Sequence, residues 1–152
     1  MWDNSKAKAR RFLTAAQKER IVKAIQAAER QTSGEIRVHV ESGVNGLDPL
    51  ERAKAVFAQL GMDRTELHNG VLIYLAVVDR KFAIIGDAGI NRVVPEDFWE
   101  STKEIMREHF KAGRFVEGII YGVESAGRHL KEHFPYQAGD VNELSDEISE
   151  GR

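Results

Sequence analysis

The sequence predicts an α/β domain, a three-layer α/β/α sandwich around a small mixed sheet that contains a β-hairpin. Three observations predict it. The alternating stretch EIRVHVE is followed by helical periodicity and then by a second apolar run, the order expected of two parallel strands joined by a right-handed helical crossover. Residues 71–78 and 81–85 are both strongly apolar and are separated only by Asp79-Arg80, a connection that fits nothing longer than a hairpin. Two more helical patterns then complete the chain.

Taken in order, Thr14-Ala-Ala-Gln17 has capping-box spacing, and Ile21, Ala24, Ile25 and Ala28 recur at helical intervals, predicting a helix over 14–31. Ser33-Gly34 stops it. In EIRVHVE, Ile36, Val38 and Val40 alternate with Arg37, His39 and Glu41, which predicts a strand with one buried and one wet face. After the loop SGVNGLD, the run Asp48-Pro49-Leu50-Glu51 supplies a cap, a first-turn proline and an acidic residue for a second helix ending near Leu60. Residues 71–78 are apolar on both faces, as a central strand requires. Pro95 is expected to open a third helix with Phe98, Thr102, Ile105 and His109 along one stripe, and a fourth spans 115–133 after Gly113. Gly118 and Gly122 lie one turn apart on that last helix and are expected to permit close helix packing. The organisation is therefore a basic arm over 1–13, a domain over 14–135 and an acidic, flexible or loosely helical tail over 136–152.

With 152 residues, 42% hydrophobic and 30% charged, the chain matches ordinary globular usage. It contains no cysteine, which rules out disulfides and thiolate chemistry and fits a cytoplasmic protein. No apolar run reaches the ~18 residues of a transmembrane segment, and the start of the chain lacks the apolar region of a signal peptide. A net charge of -2 gives no reason to expect nucleic acid as a partner, and the basic arm lacks an aromatic platform.

Two sheet edges gather candidate residues. The carboxyl ends of the parallel strands bring Glu41, Asp48 and Asp79 near a glycine-containing loop, an oxygen-rich set suited to Ca²⁺ or Mg²⁺, with Arg80 available to hold a phosphate. The opposite edge holds Asn69 and Asp87 as further ligand-binding candidates. At ~3.3 Å per strand residue, Asp79 and Asp87 stand roughly 20 Å apart and cannot share an ion. Each residue also has a structural reading: Asp48 as a helix cap, Asp79-Arg80 as a hairpin turn, Asn69-Gly70 and Gly86-Asp87-Ala88-Gly89 as turn chemistry. GxGxxG, Walker and HExxH patterns are absent. His129 and His133 are one turn apart without an evident third ligand and read as a wet helix face.

The succession SGEIRVHV, AKAVFAQLGM, NGVLIYLAVVDRKFAIIGDAGIN and HFKAGRFVEGIIYGVESAGRHL resembles the TPM domain, the family of thylakoid-lumen phosphatase-like proteins and their bacterial homologues. The resemblance runs from about Thr32 to Leu130. It implies an α/β/α sandwich, divalent-cation binding, Ca²⁺ in particular, and an acid phosphatase activity known in some members. The family's DRK turn matches Asp79-Arg80-Lys81 and its NG matches Asn69-Gly70, while its usual GxGL appears here as Gly86-Asp87-Ala88-Gly89-Ile90, so Asp87 is a departure. The expected function is a cation-binding module that engages a protein partner, with a metal-dependent phosphatase acting on phosphate monoesters as the alternative.

Overall fold

The computed structural model describes residues 13–137 and 144–151. A four-stranded sheet lies at its centre in the order β3-β2-β1-β4, formed by β1 (Glu35–Glu41), β2 (Gly70–Ala76), β3 (Lys81–Gly86) and β4 (Ser149–Glu150). β1 and β2 run parallel, with Glu35 opposite Gly70 and Glu41 opposite Ala76, and β2 and β3 form the antiparallel hairpin. The helices are α1 (Ala15–Glu29), α2 (Pro49–Gln59), the short α3 (Ala88–Asn91), α4 (Glu100–Lys111) and α5 (Phe115–His133).

Alternation along the strands sends side chains into two separate cores. Ile36, Val38, Val40, Val71, Ile73 and Leu75 pack with α1, α4 and α5, while Leu72, Tyr74 and Ala76 pack with Ala53, Val56 and Phe57 of α2. These are the three expected layers. The caps form as the sequence predicts: Thr14 and Gln17 bond reciprocally, and the Asp48 carboxylate accepts the Glu51 N–H at 3.0 Å. Cβ atoms built on Gly118 and Gly122 would lie 2.5 Å from Phe110 Cε1 and 2.7 Å from Met106 Sδ, so these two positions do permit the close approach of α4 and α5.

Three expectations fail, wholly or in part. Pro95 opens a turn, and the helix begins only at Glu100. It buries Thr102 and Met106, the former hydrogen-bonded to Ser125 Oγ at 2.6 Å, while Ile105 faces outward. His129 is half-buried, its ring 4.7 Å from Phe98, whereas His133, 5.9 Å from the same ring, is exposed as the wet-face expectation has it. The face of β1 expected to be wet is largely sealed, with Glu35, His39 and Glu41 all buried: Arg52 and Tyr74 close on Glu41, Leu144 is bonded to Glu35, and β4 converts β1 from an edge into an interior strand.

That last strand also corrects the flexible-tail expectation for residues 144–151. Residues 1–12 of the basic arm over 1–13, residues 138–143 and Arg152 lie outside the described residues, and Leu13 is buried in the core. The returning segment pairs parallel with β1 through His39 opposite Ser149 and Val40 opposite Glu150, and the Gly151 N–H donates to Val40 O at 2.8 Å. Polar contacts and the packing of Leu144 and Ile148 against the two cores anchor it further. Lys18 pairs with Glu150, the Leu144 N–H donates to Glu35 Oε1 at 3.0 Å, and Asp146 shares a hydrogen bond with Glu29.

Burial and the hydrogen bond with Asp146 push the Glu29 carboxyl up to about 9, against the opposing N–H of Ile36. Because the folded-state value is raised, this group's contribution is complete below its unfolded value of about 4.5 and is lost as pH rises through 9. Glu29→Gln, neutral at every pH, is therefore expected to match the parent at pH 5 and to exceed it by roughly 1–3 kcal/mol at pH 8.5 in urea denaturation. Parallel pH profiles for the two proteins would refute a shared proton at this contact.

Candidate functional site

The carboxyl ends of β1 and β2 converge on Glu41, which is only 2% exposed. Its neighbours come from three elements. Arg52, one turn into α2, donates from Nε to Oε2 at 2.7 Å and from Nη2 to Oε1 at 2.9 Å. The Tyr74 hydroxyl of β2 donates to Oε2, and His39 Nε2 lies 2.9 Å from Oε1. With Nε2 protonated, His39 donates to the carboxylate while Nδ1, 2.9 Å from Ser149 Oγ, accepts from the hydroxyl. The His39 and Tyr74 rings lie nearly parallel, 10° apart in plane with centroids separated by 5.9 Å.

These bonds occupy about all the acceptor sites a carboxylate offers. Burial by itself raises the pKa of Glu41, and the hydrogen bonds from Arg52, His39 and Tyr74 outweigh it, holding the group at about 2. The same contact works in the other direction on Tyr74, where burial and the adjacent carboxylate push the phenol well above its usual range. The network is thus a closed set of charges and donors. Glu41 does not fit the role of cation ligand, because an ion there would have to displace a bidentate arginine.

The neighbouring loop is more open. Val78 and Asp79 donate their N–H groups to Ser42 O at 2.8 and 3.3 Å, which ties the hairpin tip to the loop after β1, and Asp79 Oδ2 accepts the Val44 N–H at 2.9 Å. Asp79 is exposed, as is Asp48, whose Oδ1 is engaged as the α2 cap. Arg80 occupies the hairpin tip with φ 56°, in the left-handed region. Among the described residues, no group of three or more acidic, histidine or cysteine side chains is arranged to hold a metal ion.

At the opposite edge, the polar marks act as joints. Asp87 caps α3 through the Ala88 N–H at 2.7 Å and lies 3.3 Å from His68 Nδ1. Asn69 is buried, and its carbonyl accepts the Glu35 N–H at 3.3 Å, joining β1 to the start of β2.

The TPM domain family matches residues 7–129, more than three quarters of the chain. The chain belongs to the TPM domain family. Among solved structures, this TPM domain is similar to the BA42 protein of the psychrophilic bacterium Bizionia argentinensis. The identity is 49% and the TM-score 0.86, over 92% of this chain and 96% of the other. The N-terminal domain of a protein from P. gingivalis shares the fold, with a TM-score of 0.64 at 22% identity, covering 80% of this chain and 78% of that one. No curated protein matches. Among the described residues of the TPM domain, no helix is long and apolar enough to cross a membrane.

The place of Glu41 at this edge is legible in the sequence, whereas its partnership with His39, Arg52 and Tyr74 is not. A signal existed for one of them, since Tyr74 is a lone hydroxyl inside the apolar run GVLIYLA and needs a buried acceptor.

Proposed function

We propose that this TPM domain is a non-catalytic binding module. It holds Ca²⁺ or Mg²⁺ weakly at the corner formed by Asp79, Asp48 and the carbonyls of the intervening loop, and presents that corner to a protein partner. The observation that carries this reading is the division of the carboxylates at one sheet edge. Glu41, His39 and Tyr74, the groups otherwise suited to proton transfer, are buried and bonded to one another, while Asp79 and Asp48 are exposed. A general acid or base must reach the proton it moves, and a sealed network offers no such access.

Two carboxylates without a third define a low-charge site, and affinities for Ca²⁺ on the order of 10⁻⁴–10⁻³ M are expected. In a calcium titration followed by amide shifts, changes should concentrate at Ser42 to Asp48 and at Asp79, and Asp79→Asn should weaken binding about tenfold. Phosphomonoester turnover, measured in parallel, should be absent with and without metal. Metal-dependent turnover that disappears in Asp79→Asn would establish the phosphatase instead. Shifts confined to Asn69 and Asp87 would move the site to the other edge.

A further inference from the structure

On the sheet face opposite the Glu41 network, a cavity of about 570 Å³ opens between the hairpin and the α4–α5 junction. That volume is within the range of clefts that hold small organic ligands. Its wall is aromatic. Phe82 meets Phe110 edge to face at 5.1 Å, and Phe110 lies nearly parallel to Phe115 at 5.9 Å, with Leu75 of β2 completing the apolar lining.

The rim has one sign of charge. Arg80, Arg107 and Lys111 all line the cavity, and among the described residues no carboxylate does. None of the three lies within ion-pair distance of a carboxylate among the described residues, although Lys103, earlier on the same helix, pairs with Glu100 at 2.9 Å. Arg107 and Lys111 are one turn apart, so α4 presents both on one side. The Arg107 guanidinium carbon sits 5.7 Å from the centre of the Phe82 ring, which keeps its charge at the mouth. Arg80 belongs to the same set despite a left-handed backbone that glycine or asparagine would adopt at lower cost.

These features limit the occupant. A neutral apolar molecule would make no use of the three rim cations, and a bare inorganic anion would leave the aromatic wall wet. The basic segment Lys6-Ala-Lys-Ala-Arg-Arg11 of this chain has the wrong charge. We propose that the cavity binds a small organic anion, its aromatic or short aliphatic body against Phe82, Phe110 and Phe115 and its phosphonate-, phosphate- or carboxylate-type head between Arg80, Arg107 and Lys111.

The test is an amide NMR titration of the full chain with phenylphosphonate, alongside methylphosphonate as head alone and benzyl alcohol as body alone. A chelator is present throughout, so that a cation at Asp79 has no part in the outcome. Phenylphosphonate should produce saturable shifts at Phe82, Phe110 and Gly113, with a Kd about tenfold below that of either half. Arg80→Gly, which relieves the left-handed strain and so keeps the fold, and Arg107→Gln should each weaken binding about five- to tenfold. The proposal is overturned by an absence of saturable shifts at those residues, by equal affinity for phenylphosphonate and either half, or by unchanged affinity in both variants.

Discussion

Glu41→Ala is expected to destabilise the domain by about 3–5 kcal/mol, a large part of the total stability of a domain this size. The cost does not come from the lost carboxylate alone. Arg52 is left as a mostly buried cation, and Tyr74 and His39, both buried, lose their common acceptor. Urea denaturation at pH 7 measures it, and a loss below 1 kcal/mol would show that the network is solvated. Replacing both charges, Glu41→Leu with Arg52→Met, should recover most of the loss, because an apolar pair of similar size carries no uncompensated charge.

The pH dependence separates this from a simple packing defect. Glu41 is held near 2 in the folded chain against about 4.5 unfolded, so its contribution is fully present above 4.5 and is lost as pH falls through 2. The parent should therefore lose stability between pH 4.5 and 2 more steeply than Glu41→Gln, which has no proton to gain there. Equal slopes over that interval would assign acid sensitivity to other carboxylates.

Gly89→Ala should be the second severe change, at about 2–4 kcal/mol. A Cβ at this position would lie 2.3 Å from Leu67 O and 2.5 Å from His68 O, and both obstacles are backbone. The same carbonyl of His68 accepts the Gly89 N–H at 2.8 Å, so the loop before β2 and the helix after β3 are locked together at this glycine. Moving the loop apart would disturb the buried Asn69 and its bond to Glu35, at the start of β1. Thermal unfolding of Gly89→Ala and Gly113→Ala gives the contrast: Gly113 has a strained φ of 78° but open space around it, so it should lose about 1 kcal/mol. A smaller effect at Gly89 than at Gly113 would contradict the interlock.

The polar marks around the hairpin thus resolve into different roles. Asp87 and Gly89 are joints between segments, and Asp79 is both a tie to the loop and an exposed carboxylate. Their spacing in the chain looks alike. What separates them is which backbone groups stand opposite, and that depends on segments distant in sequence, such as residues 42–44 for Asp79 and 67–68 for Gly89.

Local pattern by itself determined the parallel β-α-β unit, the hairpin, the caps at Thr14 and Asp48 and the close helix packing at Gly118 and Gly122, because periodicity, capping and small-residue spacing act over a few residues. Only the tertiary structure decided that β1 is buried on both faces, that residues 149–150 return to pair with it, and that Glu41 is bonded to Arg52 instead of being open to a cation. The physical reason is range. Ser149 and Glu150 are more than a hundred residues from their partners on β1, the returning segment contains few apolar residues, and it docks through backbone pairing, polar contacts and the isolated apolar side chains of Leu144 and Ile148, none of which a local periodicity records.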